Sequence, residues 1–118
     1  MKELLFAKSH EWAEIDGDEA KIGISGYAAD ELGDIVYVEL PEVGDILTAG
    51  KAFANVESVK AVSEIYSPVS GEVIAVNDEV NDAPESINDA AEEAWLIKVT
   101  VTDRADGLLT KDEYLKTL

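Results

Sequence analysis

The 118 residues contain no cysteine. Its absence removes disulfides, thiolate nucleophiles and thiolate metal sites together, so any redox-active sulfur has to arrive on a cofactor. Histidine occurs once, at His10, which excludes a histidine-rich metal site. Basic residues are scarce as well: nine Lys and Arg stand against 26 Asp and Glu, for a formal net charge of −17. Such a surface repels phosphate backbones and anionic lipids, so neither nucleic acid nor membrane is an expected partner. The same charge is expected to keep the chain a soluble monomer and to steer it toward basic patches on other proteins. No run of 18 apolar residues exists, and the segment 1–6 is too short for a signal peptide. The expected location is therefore cytoplasmic, or the mitochondrial matrix if a transit peptide has been removed. A glycine-rich phosphate loop is missing too. The string Ser9-His10-Glu11 makes a poor hydrolase triad, because neighbours along a strand point to opposite faces. No catalytic residue is assigned, and the chain is not expected to be an enzyme.

What remains is enough for a core. Apolar residues make up 47% of the chain, and at this length one domain spanning 1–118 is expected to bury about two thirds of its surface. The organising stretch is 53–71. Two β-favouring runs, 52–56 and 62–66, alternate with period two on either side of a short polar link, which reads as a hairpin with Lys60 at its tip. A hairpin tip holds a side chain away from the packed body, where another protein can reach it. A lysine that an enzyme must modify, and that then travels between sites, needs that geometry.

The residues around Lys60 carry a specific likeness. Glu57-Ser58-Val59-Lys60-Ala61, followed by Ser67-Pro68-Val69-Ser70-Gly71-Glu72-Val73, resembles the lipoyl-lysine segment of the glycine cleavage system H proteins. Lipoyl domains of 2-oxoacid dehydrogenases usually place Asp before the lysine, and biotin carriers usually flank it with Met. The neighbours here are Val59 and Ala61. The resemblance extends from Ser9 to Tyr114 and implies a mainly β, lipoyl/biotinyl-type β-sandwich (a barrel-sandwich hybrid). It also implies (R)-lipoate joined to Lys60 through an amide, with Glu57, Ser58, Val59 and Ala61 as the attachment motif. In this family the lipoyl group takes an aminomethyl group as a pyridoxal-phosphate enzyme decarboxylates glycine. It delivers that group to a folate-dependent aminomethyltransferase, and dihydrolipoamide dehydrogenase reoxidises the dithiol. A lipoate ligase or octanoyl/lipoyl transferase is the implied modifying partner. Family members fold the loaded arm into a cleft, and by resemblance Glu11, Glu64 and His10 are its contacts here. A carboxylate beside a protonated amine gains a charge-assisted hydrogen bond.

The rest of the chain reads in order. Asp16-Gly17 is a hairpin signal between strands over 11–15 and 20–24, with Trp12 in the core and His10 and Glu11 at the surface or rim. Ser25 caps a helix near 26–32 that stops at Gly33, with Tyr27, Ala28 and Leu32 facing inward. A strand over 35–40 follows. The segments 44–50 and 77–83 resemble each other across Lys60, which suggests two similar sheet layers about a pseudo-two-fold axis. Strands over 72–76 and 95–101 flank a polar stretch, and the latter is read as the last strand. The family usually carries a Pro-Tyr-Gly type turn before Trp95. Here Ala90-Ala91-Glu92-Glu93-Ala94 departs from that pattern and favours a helical turn. Thr110 and Glu113 form a capping-box pattern, with Leu109 and Tyr114 at staple spacing, so a helix is expected near 111–117. Leu115 and Leu118 are expected to pack back on the sheet. Three readings stay open: a glycine-cleavage carrier, an H-like lipoyl donor serving other complexes, or an unmodified interaction module.

Overall fold

The computed structural model describes residues 2–118; Met1 lies outside them. Strands β1 (Lys2–Phe6), β2 (Glu11–Asp16) and β3 (Glu19–Ile24) form an antiparallel meander. Asp16 pairs with Glu19, leaving a two-residue loop whose first residue, Gly17, takes φ 66°. A primed turn needs that positive φ, and the Asp-Gly signal supplied it. Helix α1 (Gly26–Leu32) begins where Ser25 Oγ accepts the Ala28 N–H at 3.2 Å, and it ends where Gly33 N–H donates to Ala29 O at 3.1 Å. Its innermost residue is Ala29, with Ala28 and Leu32 packed beside it, whereas Tyr27 is 40% exposed. The expected inward stripe was therefore right for two residues and wrong for Tyr27. The cap fixes the phase of this short helix, and Tyr27 falls beside the stripe with its ring 4.8 Å from that of His10.

Strands β4 (Ile35–Glu39), β6 (Ala52–Ser58) and β7 (Val62–Tyr66) make a three-stranded antiparallel sheet in the order β4-β6-β7. The larger sheet adds β8 (Val69–Val76), β9 (Ile97–Thr100), β10 (Asp103–Arg104) and β11 (Leu109–Thr110) to the meander. It runs β10-β8-β9-β3-β2-β1-β11, with the two-residue β5 (Ile46–Leu47) paired to β8. The last strand is thus β11, not the one over 95–101. Two-residue strands carry too little periodicity to be read from sequence. The two layers are also unequal, eight strands against three. The repeat across Lys60 survives in burial, since Leu47 and Val80 both face the core. It does not survive in secondary structure: 46–47 is strand, while Asn77 caps helix α2 (Asp78–Asp82).

Helix α3 (Ser86–Asp89) follows and packs against α1. In the departing segment, Ala94 N–H closes a helical turn onto Ala90 O at 2.9 Å. The carbonyl of Ala91 accepts the buried Trp12 indole N–H at 3.0 Å, so this segment does structural work. Trp12, Phe6 and Tyr114 form a small cluster beside the main core, and Leu109 packs on it as the staple requires. Helix α4 (Lys111–Leu115) carries the full capping box between Thr110 and Glu113. It ends two residues short of expectation. Leu115 and Leu118 are each 52% exposed, not packed on the sheet, because Tyr114 takes the inward position of so short a helix.

Candidate functional site

Lys60 sits in the three-residue link between β6 and β7, where Glu57 pairs with Val62. Ser58 shapes this link from within. Its Oγ accepts the N–H of Ala61 at 3.1 Å and of Lys60 at 3.3 Å, and its own N–H donates to Ala61 O at 2.8 Å. Val59 and Val62 are 69% and 67% exposed, so apolar side chains flank the lysine without burying it. The alkyl chain of Lys60 lies over Gly33: a methyl group added there would stand 3.4 Å from Lys60 Cε. Gly33 has φ 78°, so glycine serves both the helix stop and this close approach.

A groove of about 170 Å³ opens next to the lysine link. Its apolar wall is Ile24, Ala28, Leu32 and Ile65, and its polar groups are Ser9, His10, Glu11, Glu31, Ser63 and Glu64. Glu64 is the third residue of β7, just past the link that carries Lys60. The three expected contacts, Glu11, Glu64 and His10, thus line one groove. Their surroundings differ greatly.

Glu11 is only 1% exposed, which corrects the expectation of a surface or rim residue. The carboxylate is retained because both oxygens are satisfied: Oε1 accepts from Ser9 Oγ, and Oε2 accepts the Tyr66 N–H at 3.1 Å. Tyr66 ends β7, so this bond joins the two sheets. Burial pushes the Glu11 carboxyl above the usual range, and the Ser9 and Tyr66 hydrogen bonds only partly oppose that shift. Glu64 is exposed and hangs over the groove from the edge strand.

His10 occupies a tight turn with φ 80°, the one positive value at a non-glycine among the described residues. Its N–H donates to Ala7 O at 2.9 Å, and its carbonyl accepts from Ser25 N–H at 2.8 Å. Its Nδ1 lies 2.6 Å from the Tyr114 hydroxyl, which in turn lies 2.7 Å from Ser25 Oγ. One hydroxyl therefore ties the C-terminal helix to both the groove histidine and the cap of α1. Sequence reading missed Ser9, Gly33 and Tyr114 as parts of this site. The Ser9-x-Glu11 spacing was the one local signal. The partners of Tyr114 lie 104 and 89 residues away, beyond any local pattern.

Chemically, the groove suits an aliphatic chain that enters from Lys60 and ends in a cationic group. The apolar wall takes the chain, and the carboxyl groups in the lining favour an amine.

The whole chain also resembles known proteins. Residues 4–118 match the family model described as Glycine cleavage H-protein. Glycine cleavage system H proteins of Geobacillus sp. (strain WCH70) and Rubrobacter xylanophilus are 52% and 49% identical, covering 96% and 99% of this chain and 91% and 93% of theirs. The crystal structure of a glycine cleavage system H protein from Mycobacterium marinum superposes with a TM-score of 0.92 at 37% identity, covering 98% of this chain and 95% of that one.

Proposed function

Because the chain belongs to the glycine cleavage H-protein family, whose members are lipoyl carriers, we propose that its 118 residues form one carrier domain lipoylated at Lys60. The observation that carries this reading is the exposed Lys60 link lying beside a groove with an apolar wall and the carboxyl groups of Glu11, Glu31 and Glu64 in its lining. (R)-Lipoate held on Lys60 would supply a redox-active disulfide as the carrier of the aminomethyl group derived from glycine.

The protein's own residues present and shelter the arm. Ser58 holds the turn that projects Lys60, and Glu57, Val59 and Ala61 complete the surface read by a lipoate ligase or octanoyl/lipoyl transferase. Gly33 leaves the start of the arm free of side-chain obstruction. Ile24, Ala28, Leu32 and Ile65 exclude water from the arm's alkyl chain. Glu64 and Glu11 face an amine at its end, Glu64 as an exposed charge and Glu11 as a buried acceptor. His10 closes the rim, with its ring orientation set by Tyr114.

The partners are the other components of the glycine cleavage system: the pyridoxal-phosphate decarboxylase, the folate-dependent aminomethyltransferase and dihydrolipoamide dehydrogenase. The carrier itself performs none of the three reactions. The acidic surface supports a monomer, and the bacterial origin of the relatives supports the cytoplasm as its place of work.

The test is intact mass with peptide mapping after expression with lipoate and a lipoate ligase. Wild type is expected to gain one lipoyl group on Lys60, and Lys60→Arg none. A folded wild type that stays unmodified beside a modified control carrier would sink the reading.

A further inference from the structure

The Lys60 link is exposed, and its backbone leaves the body where the β4–β6 ladder ends, at the pairing of Ile35 with Ser58. Just beyond that pair Val59 N–H donates to Asp34 O at 3.0 Å, from the hairpin to the segment joining α1 to β4. That joining segment is itself short and begins with a glycine in a left-handed conformation, a poor foundation by itself. It is clamped from outside. Asn88, in helix α3, accepts the Ile35 N–H on Oδ1 at 2.9 Å and donates from Nδ2 to Gly33 O at 2.8 Å. The two bonds bracket Asp34, the residue whose carbonyl holds the tip.

We propose that Asn88 is a positioning residue for the lysine link, fixing through the Asp34 carbonyl the height and direction at which Lys60 is presented to the modifying enzyme and the groove. The inference rests on Lys60 being the attachment site. An amide is the right group, because it places a donor and an acceptor side by side and so pairs with a backbone as a neighbouring strand would. Asn88 in turn has firm support: its neighbour Ile87 is fully buried and α3 packs against α1. The path runs from the core through Ile87 and Asn88 to the 33–35 backbone, then through the Asp34 carbonyl to Val59 and Lys60. Ser58 sets the shape of the turn; Asn88 sets where that turn sits.

The test uses the full unmodified chain as wild type, Asn88→Ala, Asn88→Asp and, as a control in the same helix, Ile87→Val. Two quantities are read: amide hydrogen exchange at Val59 and Ser58, and the steady-state constants of a lipoate ligase acting on each protein. In Asn88→Ala, exchange at Val59 is expected to accelerate roughly three- to tenfold, the equivalent of one net hydrogen bond. Exchange at Ser58, whose N–H is bonded within the turn, stays at the wild-type rate. The ligase KM for the carrier rises by a similar factor with kcat unchanged, because a smaller fraction of the hairpins is correctly posed. Asn88→Asp keeps the acceptor for Ile35 but loses the donor to Gly33, and shows a smaller effect in the same direction. Ile87→Val lowers the unfolding temperature without changing either constant. Unchanged Val59 exchange in Asn88→Ala overturns the proposal. So does faster exchange with wild-type KM, or an equal KM rise in Ile87→Val. A wild type that takes no lipoyl group at all would instead defeat the assignment of Lys60, and Val59 exchange would still judge the clamp.

Discussion

The two sheets of this protein are built to different ends, and the difference shows in what fills them. The eight-stranded sheet contributes much of the buried core, including Ala13, Ile15, Ile22, Val69, Val73, Ile97 and Val99. Its backbones approach one another closely enough that a methyl group on Gly71 would stand 1.5 Å from the Thr100 carbonyl oxygen. The three-stranded sheet turns Val38, Ala54, Val56 and Ile65 inward, but its outer face and its tip are open, with Val36, Tyr37, Val59 and Val62 all about half exposed or more. One sheet supplies stability and the other presents a side chain. Substitutions should therefore separate stability from function according to the sheet they fall in.

The largest functional effect belongs to Lys60→Arg. Lipoylation is expected to vanish while the unfolding temperature stays at the wild-type value, because the side chain is exposed and the turn is held by Ser58. A clear loss of stability in this variant would show that the tip contributes to the body and would blur the division. Next in size is the opposite case, Gly71→Ala in the large sheet. The clash is with backbone, which cannot swing aside, so about 3 kcal/mol or more of stability should be lost. Thermal unfolding checks this, and the molecules that remain folded should still accept the modification at Lys60.

Tyr114→Phe probes a contact between the body and the groove. The ring is stacked on Phe6 with centroids 4.6 Å apart, and Phe preserves that packing. What is lost is the hydroxyl between His10 Nδ1 and Ser25 Oγ. Leaving those groups short of a partner should cost about 1–2 kcal/mol in chemical denaturation. The His10 ring resonances should shift as well, since the ring loses the group that orients it. A stability loss with unchanged His10 resonances would mean that the hydroxyl serves the helix cap alone.

How much of this division was legible in the sequence follows from the range of each signal. The Asp16-Gly17 turn, the Ser25 cap with its Gly33 stop and the Thr110–Glu113 capping box are each encoded within a few residues, and each formed as read. Lys60 stood out because the family motif around it, over 57–61 and 67–73, is local too; the alternation on its two sides marks only a hairpin tip. Glu11 did not show its burial. Alternation in β2 put a charged residue next to Trp12, and nothing nearby revealed that Tyr66 N–H, 55 residues on, would donate a hydrogen bond to it inside. Asn88 was equally silent, since the backbone groups it clamps lie 53 and 55 residues away. The two-residue strands β10 and β11 exist only because the sheet supplies a partner edge, and the exposure of Leu115 and Leu118 depends on where α4 stops.

The smallest effect, and the one that sharpens the comparison most, concerns the seam where the sheets meet at Glu11. Burial raises the folded-state pKa of its carboxyl, so between the ordinary glutamate value of about 4.3 and the raised value the folded protein binds more protons than the unfolded chain. Stability from this group is then fully present below that window and is lost as pH rises through it. Glu11→Gln cannot titrate, so this part of the pH dependence should be missing from it. The unfolding temperature of Glu11→Gln minus that of wild type should therefore increase with pH across the window and level off above it. Taking the difference cancels most of the self-repulsion that a net charge of −17 adds to both proteins. If the difference is instead flat, the carboxylate is no less stable as an anion inside than outside, and Ser9 and Tyr66 fully compensate its burial. If the difference falls with pH, the charged form is the favoured one, and the seam is held by an anion tuned to meet a cation in the groove.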